Sequence, residues 1–167
     1  MSYTGSMNSV DIRPIKPEDQ AWITAIYTER WGSQLVVSRG KLHDVSKLPG
    51  FVAGYAGKNV GLATYRIHSK ECELVTLDSW QENLGVGTAL IEAIKQVATK
   101  ARCTRLWLIT TNDNLHALSF YQKRGFHLVA VHPNALAESR KLKPSIPEIG
   151  FDGIPLRDEL ELQMILY

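Results

Sequence analysis

Two glycines separated by one residue, Gly85 and Gly87, lie between a strand-like segment and a long run of helical periodicity. A helix N-terminus has unpaired backbone N–H groups and the positive end of the helix dipole, and glycine lets a phosphate approach those groups closely. The residue types and their spacing therefore predict an anion-binding turn. The alternative is a glycine-rich turn without a ligand, because so short a pattern is a weak signal by itself.

Two classes of nucleotide-binding turn can be compared with this spacing. A Walker loop requires the pattern GxxxxGK[ST], and no lysine follows Gly87 at that spacing. A dinucleotide-binding turn requires a third glycine, and Leu90 stands in its place. Both nucleotide-binding interpretations are therefore poor.

A second group of residues with chemical potential follows the next strand-like segment. Asn114, Ala117 or Leu118, and Tyr121 recur at helical spacing, so they share one face of a helix. Ala117 leaves room beside Tyr121 for a ligand chain to pass. The alternative for Tyr121 is a core side chain, which is the commoner role of a tyrosine at such spacing.

The elements that must position these residues are indicated by hydrophobic periodicity. Alternation and β-rich composition predict strands at 10–15, 51–56, 60–68, 72–79, 105–111, 126–132 and 159–166. Helical spacing predicts helices at 17–31, 85–101 and 114–124. Asn112 or Asp113 is the expected N-cap of the last helix. We therefore expect an antiparallel meander at 51–79, followed by a βαβαβ unit.

Two segments carry weaker patterns. Residues 32–50 mix short apolar pairs with polar residues and end at a Pro-Gly pair, so we expect a helical, mobile connection there. Residues 133–155 are rich in proline, which predicts a loop after a short helix at 134–142.

Composition sets limits on the class of protein. The chain has 167 residues, of which 44% are hydrophobic and 22% are charged, and these values exclude a disordered chain and a disulfide scaffold. We expect a single domain over 10–167, preceded at 1–9 by a disordered N-terminus or a remnant of cloning. The net charge of +2 argues against nucleic acid or a membrane as the main partner.

The cysteines and the apolar runs point to a compartment. Cys72 and Cys103 lack the spacing of a zinc site or of a redox pair, so we expect free thiols and no metal. The sequence shows neither a secretory signal pattern nor an apolar run of about 18 residues that would cross a membrane. We therefore expect a cytoplasmic protein.

The glycine turn and the tyrosine helix together resemble two motifs of the GNAT superfamily of N-acetyltransferases. Gly85 and Gly87 match both glycines of the pattern [Q/R]-x-x-G-x-[G/A], the pyrophosphate-binding turn of that superfamily. Glu82 departs from the first position of the pattern, with Gln81 one residue earlier. Residues 114–126 match the pattern N-x-x-A-x-x-[F/L]-Y-x-x-x-G-F at every specified position.

The resemblance implies a fold, a cosubstrate and a reaction. The fold is α/β, with a mixed, mostly antiparallel sheet of about six to seven strands, a splayed parallel pair and flanking helices. Acetyl-CoA would lie in the split, and a primary amine of a small molecule or peptide would attack its thioester directly. Tyr121 matches the general acid of the family, and a homodimer is compatible with the resemblance. The implied cofactor-binding residues are Val75, Leu77, Gly85, Val86, Gly87, Thr88, Asn114, Ala117 and Tyr121.

The general base has no fixed position in the family pattern, so strand geometry must indicate it. Alternation along 71–77 predicts that the odd-numbered residues, from Glu71 to Leu77, share one face of the strand. An acidic residue shortly before the pantetheine-pairing segment would point toward the split. Glu73 is our first candidate and Glu71 the second, and the alternative for each is a solvated or strand-paired glutamate.

The acceptor is not encoded in either motif. The resemblance places it opposite the CoA, lined by residues 32–50 and 133–157, with Glu29, Arg39 and His68 as further candidates. A basic cluster lies in the second segment and either favours an acidic acceptor or is a solvated helix face. This cluster consists of Arg140, Lys141 and Lys143.

Two other functions remain open from the sequence. One is a binding module that holds acetyl-CoA but has lost acetyl transfer. Tyr121 argues against it, because the tyrosine that matches the general acid of the family is present. The other is a nucleic-acid-binding or partner-binding domain without CoA, which the near-neutral charge disfavours.

Overall fold

A computed structural model describes residues 9–167 of the chain. The expected disordered segment at 1–9 therefore lies, apart from Ser9, outside the described residues. The strands are β1 (Asp11–Pro14), β2 (Leu35–Ser38), β3 (Lys41–Asp44), β4 (Gly50–Tyr55), β5 (Lys58–His68), β6 (Glu71–Ser79), β7 (Arg105–Thr111), β8 (His127–His132) and β9 (Glu159–Ile165). The helices are α1 (Gln20–Trp31), α2 (Val86–Lys100), α3 (Leu115–Gln122) and α4 (Ala135–Leu142).

One sheet of seven strands organises the chain, in the order β1-β4-β5-β6-β7-β9-β8. Neighbouring strands are antiparallel except β6 and β7, which are parallel. The parallel pairing joins only the three residues from Glu71 to Glu73 to their partners on β7, beginning at Arg105. Both strands continue beyond that point without pairing to each other, so the expected mixed sheet with a splayed parallel pair is confirmed.

The two faces of the sheet bury separate apolar clusters. On one face α2 packs with Leu90 and Ile94, which are fully buried against β5, β6 and β7. On the other face α1 packs with Ile23 and Tyr27. Burying each large apolar side chain contributes roughly 1.5–3 kcal/mol, which holds both helices against the sheet. The helical spacing from Val86 onward was therefore a correct indicator of the buried face.

The prediction of a helical connection at 32–50 is wrong. Strands β2 and β3 form a two-stranded antiparallel hairpin, followed by a short 3-10 helix at Val45–Lys47. The two turn residues, Arg39 and Gly40, have φ of 47° and 73°, which is the geometry of a two-residue hairpin turn. A strand of four residues is too short for the alternation of apolar and polar residues to reveal it in the sequence. The hairpin is held from outside, since Lys143 Nζ donates to the Leu35 carbonyl at 2.8 Å.

A bulge interrupts β6 beside the split. Leu74 pairs with Tyr65 and Thr76 pairs with Thr64, so Val75 has no partner on β5. One extra residue reverses the alternation of side chains that follow it.

The C-terminal part agrees more closely with expectation. The short helix at 134–142 is confirmed as α4, and the chain from there to β9 is a loop with one short 3-10 helix at Phe151–Gly153. None of the helices within residues 9–167 has the length and hydropathy needed to cross a membrane.

Candidate active site

The N-terminus of α2 lies at the end of β6 and has unpaired donors. Gly85 is its N-cap, with φ of 70° and open space within 4 Å of where a Cβ would lie. The first helical hydrogen bond runs from Ala89 N–H to the Gly85 carbonyl at 3.0 Å. The intervening N–H groups of Val86, Gly87 and Thr88 have no acceptor within the described part of the chain, and Val86 and Gly87 are buried residues. Unpaired N–H groups at the start of a helix can bind an anion, which also interacts favourably with the helix dipole.

Gly87 has a second role that its sequence pattern did not indicate. A Cβ on Gly87 would lie 2.8 Å from Cζ of Phe120, which is on α3. The missing side chain therefore lets α3 approach α2 closely. Phe120 was the matched aromatic of the second motif, so the two motifs touch each other in the fold.

Arg124 was missed by the sequence analysis and lies at the same place. Its Nε donates to Thr88 Oγ1 at 2.8 Å, and its guanidinium lies 3.5 Å from the centroid of the Phe120 ring. The only sequence signal was a basic residue just before the Gly-Phe pair of the second motif.

Tyr121 projects from α3 into a largely apolar setting. Its ring makes edge contacts with Phe120 and Phe126, at centroid distances of 5.3 and 5.5 Å. Burial raises the pKa of the Tyr121 phenol, and the negative charge of Asp78 raises it further. The phenol is therefore neutral at pH 7 and can donate a proton or a hydrogen bond.

The start of α3 differs from expectation in its cap. Asn114 is the N-cap, and its side chain accepts from the Ala117 N–H at 3.0 Å, so the prediction of Asn112 or Asp113 in that role is wrong. Asn112 instead accepts from the N–H groups of the loop before β9, and Asp113 accepts from the Phe151 N–H at 3.0 Å. Both side chains are engaged with the C-terminal loop because that loop packs over the start of α3.

Asp78 was also missed by the sequence analysis. The hydroxyl of Tyr27, on α1, donates to its carboxylate. Burial raises the pKa of Asp78, while the hydrogen bond from Tyr27 opposes that shift. This contact joins α1 to β6 beyond the bulge, on the side of the sheet opposite α2.

Glu73 is the last residue of β6 that pairs with β7 and is only 3% exposed. Ser38, on the β2–β3 hairpin, donates its hydroxyl to Oε1 at 2.6 Å, and Arg66 Nε lies 4.0 Å from Oε2. Burial raises the pKa of Glu73, whereas the Ser38 hydrogen bond and Arg66 lower it and Glu159 raises it again. A carboxylate of this kind takes up a proton closer to neutral pH than an exposed one does.

The expectation that odd-numbered residues from Glu71 to Leu77 share one face is wrong beyond Val75. Because Val75 is the bulge residue, Leu77 returns to the face of Leu74 and packs against the α2 cluster. Glu73 faces the other way, toward the hairpin. Alternation in sequence cannot reveal a bulge, since the extra residue leaves no mark in composition.

Glu71 lies at the far end of the parallel pairing. Its carboxylate pairs with Arg105 Nε at 3.1 Å, and its side chain is 41% exposed. It is thus a strand-paired glutamate in this structure, as its alternative interpretation described.

The tip of the hairpin contacts β9 on the side where the acceptor was expected. Arg39 binds Glu159 through both its backbone N–H and Nη1, each at 3.2 Å, and Glu159 is 2% exposed. The buried His43 has an Nε2 atom without a hydrogen-bond partner in residues 9–167. Glu29 and His68 are exposed.

The basic cluster of the C-terminal segment divides into separate contacts. Arg140 donates to the carbonyls of Pro147 and Leu156 at 2.8 and 2.6 Å, and so holds the loop that follows α4. Lys141 pairs with Glu138 on the exposed face of α4. Lys143 is engaged by the hairpin, as described above, so these cations do not form one patch.

Comparison with known proteins agrees with this architecture. The model of the acetyltransferase (GNAT) family matches residues 15–126. An uncharacterized Bacillus subtilis protein, YdhI, is 42% identical over 146 residues, which cover 86% of this chain and 91% of that protein.

Two solved structures share the fold. An IAA acetyltransferase from Bacillus cereus has a TM-score of 0.72 at 22% identity, covering 95% of this chain and 100% of its own. A GNAT acetyltransferase from Elizabethkingia anophelis, with acetyl-CoA bound, has a TM-score of 0.67 at 20% identity, covering 95% and 99%. Sheet order, split strands, glycine turn and family match agree, and the chain belongs to the GNAT family of acetyltransferases.

Proposed function

We propose that this protein transfers the acetyl group of acetyl-CoA to a primary amine, on a small molecule or a peptide, by direct attack on the thioester. The observation that carries the proposal is the divergence of β6 and β7 after Glu73, next to the unpaired N-terminus of α2. Tyr121 lies on α3, which packs against that same turn. The diverging strands, the helix N-terminus and Tyr121 therefore lie in one region, which supports a shared role in binding and proton transfer.

The residues around the split fit acetyl-CoA, which supplies the activated acetyl group as a thioester. The N–H groups of Val86, Gly87 and Thr88 would bind its pyrophosphate. The backbone of β6 at Val75 and Leu77 is free of β7 and would pair with the pantetheine amides. Asn114 and Ala117 begin the face of α3 that would lie along the pantetheine arm. Asn114 uses its amide oxygen as the helix cap, so its amide nitrogen could donate to the ligand.

Tyr121 would act as the general acid. The departing thiolate needs a proton, and a phenol with a raised pKa holds its proton until the leaving group takes it. The ring is fixed by Phe120 and Phe126, so its hydroxyl has a defined position. Positioning of this kind is what general-acid catalysis requires.

Glu73 would act as the general base. An amine is mostly protonated at pH 7 and must lose a proton before its lone pair can attack the carbonyl carbon. Ser38 donates to Oε1, whereas Arg66 Nε lies 4.0 Å from Oε2, too far for a hydrogen bond, so Oε2 would receive that proton. Because the hairpin covers the carboxylate, the proton would travel through a water molecule rather than directly from the amine.

The state of the two cysteines supports the proposal of a cytoplasmic location. The thiols of Cys72 and Cys103 are both free and buried, which fits a reducing cytoplasm. Burial raises the pKa of Cys72 to about 12, so this thiol is not a competing nucleophile.

The experiment has two stages with separate outcomes. Calorimetric titration with acetyl-CoA should show saturable binding, and release of free CoA should then be followed against a panel of amines and peptide N-termini. Binding together with amine-dependent release supports acetyl transfer. Binding without release against any amine would favour the silent acetyl-CoA-binding module, and absence of binding would contradict both.

A further inference from the structure

Arg124 is fixed across the junction of α2 and α3. It donates from Nε to Thr88 Oγ1 at 2.8 Å and from Nη1 to the Phe120 carbonyl at 2.9 Å. Its guanidinium also stacks on the Phe120 ring, whose edge lies against Gly87. A side chain held by three contacts keeps its charge in one place at little further entropic cost. Nη2 makes no hydrogen bond within the described residues.

The charge of Arg124 has no counterion in the part of the chain that the structure describes. No carboxylate in residues 9–167 lies within 4.0 Å of its guanidinium. The guanidinium also lies in the first turn of α2, where the helix dipole is positive and a cation is unfavourable. An anion at this turn would relieve both effects and would also receive the unpaired N–H groups of Val86, Gly87 and Thr88.

The strand-to-helix turn itself supplies no cation. Glu82, the side chain at the first position of the glycine pattern, is exposed and carries a negative charge that would repel phosphate. We propose that Arg124 supplies from α3 the positive charge for the pyrophosphate of acetyl-CoA that the turn itself lacks. The inference rests on the proposed function, because acetyl-CoA is its ligand.

A structural role is the competing explanation. Arg124 also lies at the C-terminal end of α3, where a cation stabilises the helix and its carbonyls accept hydrogen bonds. In that role Arg124 would contribute to folding stability but not to the affinity for an anion. Affinity and its salt dependence therefore separate the two roles.

The test is calorimetric titration of the folded protein with acetyl-CoA at low and high salt. Arg124→Gln should weaken binding about tenfold at low salt, the lower end of what a charge-assisted hydrogen bond contributes. Its affinity should also depend less on salt than that of the wild type. Arg124→Met keeps a long apolar side chain beside Phe120 without the charge and provides the same measurement if the glutamine variant does not fold. The adjacent, exposed Lys123→Gln is the matched control and should bind like the wild type.

Each outcome has a distinct meaning. Wild-type affinity and salt dependence in both Arg124 variants would overturn the inference and leave the proposed function intact. Failure of the wild type to bind would instead overturn the proposed function. Titration with 3′-dephospho-acetyl-CoA should retain the tenfold difference, and its disappearance would assign Arg124 to the 3′-phosphate and not to the pyrophosphate.

Discussion

The two sides of the β6–β7 split differ in how their polar groups are satisfied. On the α2 side, neither the backbone donors of the turn at Gly85 nor the charge of Arg124 has a partner among residues 9–167. On the hairpin side, Glu73 and Glu159 are buried and already engaged by Ser38 and Arg39. Within residues 9–167 the donors of the α2 side lack partners, whereas the carboxylates of the hairpin side already have them and only nitrogen atoms, such as His43 Nε2, are left without one.

This difference corresponds to two kinds of recognition. A phosphate is recognised by backbone N–H groups that any sequence can supply, so the anion side depends on local geometry and on glycine. The hairpin side depends on side-chain pairs that are 35 residues apart for Ser38 and Glu73 and 120 residues apart for Arg39 and Glu159. We infer that the anion side serves the common cosubstrate and the hairpin side selects the acceptor.

The largest effect is expected on the proton donor. Tyr121→Phe keeps the ring contacts with Phe120 and Phe126 and removes only the hydroxyl. We expect kcat to fall roughly 10²- to 10⁴-fold, the usual contribution of general acid–base catalysis, with little change in acetyl-CoA affinity. Steady-state kinetics and calorimetry on the same preparation measure both. Loss of affinity, or unchanged kcat, would remove Tyr121 from the catalytic role.

A smaller deficit is expected at the buried carboxylate. Glu73→Gln keeps its size and can still accept from Ser38 but cannot take up a proton, so kcat should fall about 10²-fold at neutral pH. The ratio of wild-type to variant rate should shrink between pH 6 and 9, because a higher pH deprotonates the amine without the enzyme. A ratio that does not change with pH would indicate that Glu73 only orients the acceptor, and Glu71 would be tested next.

Thermal unfolding provides the control for this variant. The folded-state pKa of Glu73 is raised above its unfolded value, so its contribution to stability is complete below the unfolded pKa and is lost as the pH rises through the folded pKa. Glutamine does not titrate, so the variant loses no stability as the pH rises through this range. At pH 7 the variant should therefore be no less stable than the wild type, and a large decrease would attribute its rate deficit to misfolding.

A substitution at Gly87 tests the packing of α3 against α2. Gly87→Ala places a Cβ against the Phe120 ring and should lower the free energy of unfolding by about 1–3 kcal/mol, the usual cost of overpacking. Phe120→Leu in the same chain removes the ring edge and should restore most of that loss. Glu92→Ala, at an exposed position of the same helix, is the control in denaturant titrations. An unchanged stability in Gly87→Ala would mean that α3 does not pack here.

The smallest effect is expected from the hairpin hydroxyl. The hydrogen bond from Ser38 lowers the pKa of Glu73, so Ser38→Ala should raise that pKa further. The acid limb of the kcat profile should then move to higher pH by roughly one unit, which corresponds to the strength of one hydrogen bond to a charged group. Ser38→Thr retains the hydroxyl and should leave the limb in place. If the acid limb moved in both variants, or in neither, the Ser38 hydroxyl would not be the group that sets the pH dependence of kcat.

Local chemistry could be predicted from the sequence. The glycine turn, the helix after it, the face of α3 that bears Tyr121 and the meander at 51–79 all follow from the neighbours of each residue along the chain. The spacing of apolar residues shows which side chains of a segment face the core, and this is enough to assign strands and helices. The family resemblance was readable because both motifs are local.

Contacts between distant segments decided the rest. The hairpin at 35–44 forms because its ends are held by β9 and by the segment after α4, and β9 inserts between β7 and β8 although it is last in the chain. The bulge at Val75 and the burial of Glu73 depend on which residues of β5 and the hairpin lie opposite them. Short strands and single-residue shifts leave almost no periodic signal, because their free energy comes from partners far away in sequence. The sequence alone therefore determined the glycine turn at which we propose that an anion binds, and only the tertiary structure decided which carboxylate lies buried at the split.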